Sequence, residues 1–378
     1  MKLRIVHIVA GLWKDTGGPA EVIPNLCKAQ VQAGAEVILC SIDGDTAPQV
    51  AALEGSGVDV RLFPAVDSFW RYSPAMARFL KSLGSVDVIH NHGHWLWPNW
   101  CACSVARRNN ALLVTTPHGT LVPGMLTRSS LKKRIAWTLF DRHLVARAHA
   151  IHALSLAEHD AMAPKLGIHA KKVQIVPNGV NLGENAGRYT ADSGGVLLFL
   201  SRVSPIKGVI QLLTAWQKLA PKFSEWSLRI VGPLDPEIAE EVTSLSQSLD
   251  RVELVGPIYA DERWAEYRAA TAFVLPTLGE GLPTVLLEAS AHCLPVITTQ
   301  EANFNELFEA GGSILTSPEP CALETTLTEF FQRSSEERCA IGLRGRSLME
   351  ARYTWGAIAR QWLALYAIDQ IEQNGNSL

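Results

Sequence analysis

The strongest constraint on the fold is an alternation of short runs rich in β-branched residues and leucine with stretches of helical character. This alternation is typical of parallel sheets whose strands are joined by helices. In the first half of the chain we predict strands at residues 3–10, 37–42, 58–63, 86–89, 112–116, 150–154 and 173–176. A second series follows at residues 196–201, 228–231, 252–255, 272–275, 296–298 and 313–315. The sequence therefore predicts an α/β protein with two parallel sheets.

The chain length also favours two domains, because 378 residues exceed what one hydrophobic core normally organises. A polar, glycine-containing stretch at residues 182–194 separates the two series of strands and has the composition of a linker. We expect an N-terminal domain at 1–183 and a C-terminal domain at 184–354, followed by a helix. Two domains of one architecture imply a cleft between them.

Charge and composition exclude several classes of protein. A net charge of −3 and a pI near 6.4 provide no general basic field, so we expect no nucleic-acid partner. The N-terminal apolar run lacks a cleavage site, and no apolar run approaches the ~18 residues of a membrane span. The seven cysteines are scattered rather than framed as pairs. We therefore expect a cytoplasmic protein with reduced thiols.

Glu280 and Glu288 are the most informative pair of polar residues. They occupy a segment that reads as a buried strand, a glycine loop and a helix, so both should lie at the carboxyl edge of a parallel sheet. Carboxylates accept hydrogen bonds from vicinal hydroxyl groups and carry no positive charge. The pair therefore favours a sugar or ribose over a bare phosphate.

Candidate phosphate ligands occur at two other junctions between a strand and a helix. Arg202 and Lys207 follow the first strand of the second series, where two cations can bracket a diphosphate, although a surface ion pair is the alternative. Gly17 and Gly18 follow the first strand of the chain and open a helix whose free N–H groups attract anions. An ordinary tight loop explains this glycine pair equally well.

Histidines and aspartates raise the question of a metal. His118 follows a strand and is suited either to donating a hydrogen bond to a ligand hydroxyl or to capping a turn. The alternation of His90, His92 and His94 suggests zinc, but Gly93 and the ending strand favour packed or cleft-lining histidines. Asp43-Gly44-Asp45 is typical of a plain turn. We therefore predict no metal site.

A basic segment with interleaved apolar residues follows His118. Arg128, Lys132, Lys133 and Arg134 alternate with residues such as Trp137 and Phe140. Such a helix can lie on an anionic membrane or attract an anionic acceptor, and a solvated face with a buried apolar side is the alternative.

Taken in order, these motifs closely resemble those of the GT4 family of retaining glycosyltransferases, which have the GT-B fold, over essentially the whole chain. The resemblance is carried by Gly17-Gly18, the Thr116-Pro117-His118-Gly119 segment, the segment 176–180, Arg202, Lys207, and the Glu280–Glu288 spacing that the family shows as E-x7-E. The segments 92–99 and 116–124, with the basic stretch behind them, also look like the subgroup that builds bacterial surface polysaccharides on lipid-linked acceptors. One departure is that the segment 270–272 lacks the acidic residue often found there.

The resemblance implies roles for individual side chains. Arg202 and Lys207 would bind the donor diphosphate, and Gly17 and Gly18 would approach the same phosphates or the acceptor. Glu280 would bind the hydroxyls of the transferred sugar with His118 beside it as the second catalytic residue. The ribose would be bound by Glu288.

Backbone and acceptor contacts follow from the same resemblance. The backbone near Ile258 would meet the nucleobase, and the amides of Gly281, Leu282 and Thr284 would face the sugar and phosphate. We expect the acceptor side to include His94, Arg128 and Lys132. The C-terminal helix, about 355–378, would return to the first domain.

The implied activity is transfer of a hexose, with retention of configuration, from a nucleotide-diphosphate sugar to a glycan or polyprenyl-linked acceptor. A UDP- or GDP-sugar is the expected co-substrate, with no cofactor and no metal. An anionic membrane surface is a further candidate partner, which would attach the protein peripherally to the inner face of the plasma membrane. A GT-B-fold epimerase or phosphorylase and a catalytically silent nucleotide- or glycan-binding protein remain as alternatives.

Overall fold

The structure is a computed structural model that describes residues 2–13, 18–121, 131–162, 172–183, 195–258 and 262–375. Side chains are described throughout these ranges except at 131, 132, 134 and 369–375. Within them the chain forms one seven-stranded and one six-stranded sheet, and the paired strands of both sheets are parallel.

The first sheet is built from the N-terminal half of the chain. Its strands are β1 (Arg4–Val9), β2 (Glu36–Ile42), β3 (Asp59–Phe63), β4 (Val88–His92), β5 (Leu112–Thr116), β6 (Ala150–Ala153) and β7 (Val173–Ile175). The helices of this half are α1 (Gly18–Gln32), α2 (Pro48–Ala51), α3 (Pro74–Ser82), α4 (Trp97–Asn109), α5 (Leu131–Ala136), α6 (Arg142–Arg147) and α7 (Leu156–Met162). A π-helical turn (Trp137–Asp141) joins α5 to α6.

The second sheet follows the same alternation. Its strands are β8 (Gly195–Leu200), β9 (Trp226–Val231), β10 (Val252–Gly256), β11 (Ala272–Leu275), β12 (Val296–Thr299) and β13 (Ser313–Thr316). Its helices are α8 (Val209–Leu219), α9 (Ala239–Ser248), α10 (Glu262–Ala269), α11 (Thr284–Ala291), α12 (Asn305–Glu309), α13 (Pro320–Phe331) and α14 (Ser335–Leu348). The last helix that the structure describes is the long α15 (Trp355–Gly375).

Strand order is Rossmann-like in both sheets. The first runs β3-β2-β1-β4-β5-β6-β7 and the second β10-β9-β8-β11-β12-β13. The order therefore reverses between β1 and β4 in one sheet and between β8 and β11 in the other, and ligands of such sheets bind beyond the carboxyl ends of the strands at that point. The prediction of two parallel sheets is confirmed, and each predicted strand is present.

Contacts divide the chain into two compact units, residues 1–179 with 355–378 and residues 180–354. The division falls just before the predicted linker, of which residues 184–194 lie outside the described ranges. Helix α15 belongs to the first unit because Ile358, Trp362 and Tyr366 are part of its buried core. That core packs the apolar faces of β1 and α1 against the terminal helix.

Three smaller predictions concern turns, cysteines and membrane spans. After β2, the chain bends at Gly44 and Asp45, where a turn was predicted, and the Gly44 amide donates to Asp43 Oδ1 at 2.8 Å. All seven cysteines lie within the described residues, and none of them forms a disulfide. Across the described ranges, no helix is both long and apolar enough to cross a membrane.

Candidate functional site

The carboxyl ends of β8 and β11 bring two predicted ligands into contact. The two strands are neighbours in the second sheet, so the short 3-10 turn Pro205–Lys207 after β8 lies beside the loop after β11. Lys207 Nζ donates to Glu280 Oε1, and the two side chains are only 15% and 19% exposed. A cation and a carboxylate that are far apart in sequence thus meet at the switch point of the sheet.

The two loops hold each other through the backbone. The Leu278 amide donates to the Ile206 carbonyl at 2.7 Å, and the Thr277 hydroxyl donates to the same oxygen at 3.0 Å. Gly208 permits this approach, because its φ of 74° favours glycine and a Cβ there would overlap the Pro276 carbonyl oxygen. The position of Lys207 relative to Glu280 is therefore set by main-chain contacts.

A third loop supports Glu280 from the end of β12. The Glu280 amide donates to the Glu301 carbonyl at 3.0 Å, and the Asn303 side-chain amide donates to the Glu280 carbonyl. Asn303 adopts a φ of 55°, a conformation that asparagine tolerates better than most residues. Both backbone polar groups of Glu280 are thus bonded, which orients its side chain.

Electrostatics at this edge are dominated by two cations. Burial, and then the nearby charge of Arg202, lower the pKa of Lys207 to about 8, even though Glu280 accepts its hydrogen bond. Arg202 itself is exposed. Two positive charges held this close are suited to an anion that carries more than one negative charge.

Glu288 is buried on α11, one turn after the first residue of that helix. It has partners that the sequence did not indicate. Tyr267 Oη donates to Glu288 Oε2 at 2.8 Å, and Arg263 Nη2 lies 3.6 Å from Oε1. Burial, and then the Glu288 charge, raise the pKa of Tyr267 well above its usual value, so the phenol keeps its proton as a donor. Both partners come from α10, whose sequence reads as an ordinary polar helix, so no signal in the sequence marks them.

The predicted backbone ligands surround the start of α11. Pro283 is the N-cap and provides no side-chain cap. The Leu286 amide already donates to the Pro283 carbonyl at 3.1 Å, so the amides of Thr284 and Val285 are the ones placed to meet a ligand. Gly281 is half-buried and Leu282 is buried just before them. Ile258 is half-buried shortly after β10.

In the first unit, His118 lies beyond the end of β5 with an unusual backbone. Its φ is 51°, a left-handed conformation that is strained for a residue other than glycine and that clusters at functional sites, and the following Gly119 adopts a φ of 75° without strain. His118 Nε2 lies 3.1 Å from His92 Nδ1, and the side chain is partly exposed in a pocket that Asn178 and Trp355 also line. Gly18 begins α1 after β1, as predicted, whereas Gly17 lies outside the described residues.

Behind His118 is a cluster of buried histidines. Within the described ranges, the ring nitrogens of His7, His90 and His92 are the one set that could hold a metal ion, lying within 4.8 Å of one another. All six of these nitrogens already have hydrogen-bond partners, so packing accounts for the cluster without an ion. His7 was missed from the sequence, although a histidine inside an apolar strand was a signal. Burial lowers the pKa of His7 to about 4.

The predicted acceptor side is only partly described. His94 is buried, separate from the histidine cluster, and its Nδ1 lies 3.3 Å from Asp141 Oδ1. Arg128 lies outside the described residues, and so does the side chain of Lys132, whose backbone is in α5. Leu139 and Phe140 are 56% and 40% exposed in the adjacent π-helical turn. These acceptor residues remain predictions.

Comparison with known proteins gives one consistent result. The sequence profile of Glycosyltransferase Family 4 matches residues 16–184, and that of Glycosyl transferases group 1 matches residues 194–332. The D-inositol 3-phosphate glycosyltransferase of Frankia alni is 26% identical over 309 residues, covering 75% of this chain and 74% of the relative.

One further relative resembles the chain in sequence, and one solved structure resembles it in fold. The GDP-mannose:cellobiosyl-diphosphopolyprenol alpha-mannosyltransferase of Xanthomonas oryzae is 23% identical over 305 residues and covers 78% of each chain. The crystal structure of Anabaena HepE in complex with UDP and glucose has a TM-score of 0.72 at 19% identity, covering 97% of this chain and 99% of that one.

Proposed function

Because the chain belongs to glycosyltransferase family 4 and has the GT-B fold, we propose that it transfers a hexose from a nucleoside diphosphate sugar with retention of configuration. The contact between Lys207 and Glu280 beside Arg202 carries this proposal. It joins cations suited to a diphosphate with a carboxylate suited to sugar hydroxyls, at the edge where such sheets bind ligands. The enzyme is a hexosyltransferase that uses a nucleotide sugar.

The chemistry requires stabilisation of a leaving diphosphate. Cleavage of the bond between sugar and phosphate produces new negative charge, which Arg202, Lys207 and the amides at the start of α11 stabilise. The leaving phosphate oxygen then takes the proton of the acceptor hydroxyl on the face where that hydroxyl attacks. Glu280 orients the sugar by accepting from its hydroxyls. We propose that these cations perform the task of a metal, so the reaction requires none.

Glu288 binds the ribose of the donor. The Tyr267 hydroxyl and Arg263 hold its carboxylate in place, and a carboxylate has enough acceptor capacity for the ribose hydroxyls in addition. The backbone near Ile258 meets the base. A site in which the base is met by backbone is compatible with either UDP or GDP, and the similar proteins are consistent with both.

A thermal-shift screen against UDP-, GDP-, ADP- and TDP-sugars identifies the donor. A ligand that binds only the folded protein raises its free energy of unfolding by mass action, by about 2.7 kcal/mol at a hundredfold excess over Kd, and thereby raises the melting temperature. We expect the melting temperature to rise with nucleotide sugars that carry one of these bases and to stay unchanged with the others.

The proposal is tested by measuring transfer from a panel of labelled nucleotide sugars. Glu280→Gln and Lys207→Ala should each lower kcat/KM by about 10²-fold or more, because each removes a charge aimed at the donor. Glu324→Gln and Lys222→Ala are matched controls, since this surface pair lies 2.8 Å apart on the same unit. Unchanged rates in both site variants would overturn the assignment. Product analysis without acceptor and with inorganic phosphate separates a transferase from an epimerase or a phosphorylase.

We also propose a lipid-linked glycan as the acceptor and peripheral attachment to the inner face of the plasma membrane. The support is the basic segment around α5 together with the exposed side chains of Ile135, Leu139 and Phe140. Apolar residues beside lysines and arginines bind anionic bilayers by insertion and by charge.

Co-sedimentation with vesicles tests the membrane proposal. Neutralising Lys132, Lys133 and Arg134 to glutamine should reduce binding to vesicles that contain anionic phosphatidylglycerol, by about 1 kcal/mol for each charge near the surface. Neutralising the exposed Lys218 and Lys222 is the control. Equal binding by both variants would remove the proposal.

A further inference from the structure

The buried polar groups behind His118 form one continuous hydrogen-bond chain, which starts at a backbone carbonyl. The oxygen of Val176 lies 2.5 Å from His152 Nε2, and a carbonyl oxygen can only accept. His152 Nε2 therefore carries a hydrogen. Burial lowers the pKa of His152 to about 4, so the ring is neutral and its Nδ1 is an acceptor.

The next links follow from the single hydrogen of a threonine hydroxyl. Thr116 Oγ1 lies 3.1 Å from His152 Nδ1 and must donate to it. The same oxygen lies 2.7 Å from His90 Nε2, which must then be the donor. His90 is buried and its pKa is lowered well below the usual value, so its Nδ1 is an acceptor for the Tyr366 hydroxyl at 2.7 Å.

The hydrogen-bond chain continues through side chains of helices α15 and α1. The hydrogen of Tyr366 is directed at His90, so its oxygen is left to accept from Gln30 Nε2 at 3.4 Å. This orients the amide of Gln30 with its oxygen towards His7 Nε2, at 2.8 Å. An amide oxygen can only accept, so His7 Nε2 carries a hydrogen and the neutral ring has Nδ1 as an acceptor.

Two histidines complete the chain at the pocket. His92 Nε2 lies 2.8 Å from His7 Nδ1 and must donate, which leaves His92 Nδ1 as an acceptor because burial keeps this ring neutral too. His118 Nε2, at 3.1 Å, must donate to His92 Nδ1. Among the residues that the structure describes, none forms a hydrogen bond with His118 Nδ1. The opposite direction would require the Val176 carbonyl to donate, which it cannot do.

We propose that this directed chain holds His118 as the neutral Nε2–H tautomer, so that Nδ1 accepts a hydrogen bond from a hydroxyl of the donor sugar. The identification of that hydroxyl rests on the proposed function, whereas the tautomer does not. The direction is the reverse of the expected donation by His118. Gln30, Thr116 and Tyr366 thereby act as positioning residues at a distance from the sugar.

The tautomer is measured directly by NMR on protein labelled with ¹⁵N-histidine, near neutral pH and without any sugar. Protonated and unprotonated ring nitrogens differ strongly in chemical shift, and the signals that disappear in His118→Gln identify His118. We expect Nε2 of His118 to be protonated and Nδ1 to be unprotonated. A protonated Nδ1, in either the other tautomer or an imidazolium, would overturn the proposal. A failure of the proposed function would leave this result untouched.

Transmission along the chain is tested with two nearly isosteric variants. Thr116→Val removes the hydroxyl that links His152 to His90, so both directions become allowed and the His118 signals should move to the average of two tautomers. Thr115→Val is the matched control, because its buried hydroxyl accepts from Asn91 Nδ2 at 2.9 Å and lies outside the chain. An unchanged His118 spectrum in folded Thr116→Val, or the same change in both variants, would overturn the proposal. If Thr116→Val does not fold, the spectrum of the unaltered protein still decides the tautomer.

Discussion

At the scale of single residues, Lys207 combines burial with a charge that the proposed reaction requires. Its side chain is only 15% exposed, its hydrogen bond goes to Glu280, and its pKa is about 8. The ammonium is therefore fully charged below this pH and loses its charge above it. The binding of a diphosphate should follow the same titration.

We expect KM for the donor to rise as the pH increases through 8 to 9, because the protonated lysine is the form that binds phosphate. The value of kcat should change less. In Lys207→Arg the guanidinium stays charged over this range, so the rise in KM should vanish. A rise of equal size in both proteins would contradict the assignment.

Stability should change in the same window with a known sign. The folded pKa of about 8 lies below the ordinary value of 10.5, so the unfolded chain binds more protons between these limits. The cost of burying the charged lysine is complete below pH 8 and disappears as the pH approaches 10.5. The free energy of unfolding therefore contains a contribution from Lys207 that rises across this interval.

Partners of individual residues were harder to predict than the residues themselves. Glu280, Glu288 and Lys207 could be selected from the sequence, because polar residues in the loop after a buried strand, or in the first turns of the helix that follows it, are placed at the edge of a parallel sheet. Tyr267 and Gln30 could not, because each contacts a residue brought near by packing of separate elements. The direction of the histidine chain depends on such contacts and is invisible in the sequence.

At the scale of elements, the loops after β8 and β11 lie so close together that no side chain fits at Gly208. Gly208→Ala should destabilise the protein by at least about 2 kcal/mol, because it combines a strained φ with a steric overlap. Chemical denaturation measures this loss. Gly279→Ala is the control in the facing loop, since its nearest neighbour would be Ile206 Cδ1 at 3.8 Å. Comparable stability in the two variants would contradict this account.

Elements themselves were highly predictable, for a physical reason. Strands buried on both faces are continuous apolar runs, so their positions are visible without any knowledge of pairing. Strand order is set by crossovers over long distances and came only from the structure. Short elements such as the 3-10 turn that carries Lys207 have no periodic pattern and were not predicted.

At the scale of the whole molecule, the first unit is discontinuous in sequence, and the resemblance to a known family was the only indication of it. Ile358, Trp362 and Tyr366 from α15 fill a core otherwise made by residues 1–179. The second unit, residues 180–354, is one continuous segment.

We expect the second unit to become resistant to protease before the first when chains of increasing length are held on the ribosome. A domain can complete its hydrophobic core only when every segment that contributes to this core has been synthesised. Domains generally fold as units. Cleavage sites in residues 1–179 should stay accessible until α15 has emerged. Early protection of those sites in chains that stop before residue 355 would contradict this order.

The unit whose synthesis begins first is therefore the one whose folding is completed last. The residues that are translated first must wait for those that are translated after the second unit, and until then the apolar surface that α15 covers is open to water and to other chains.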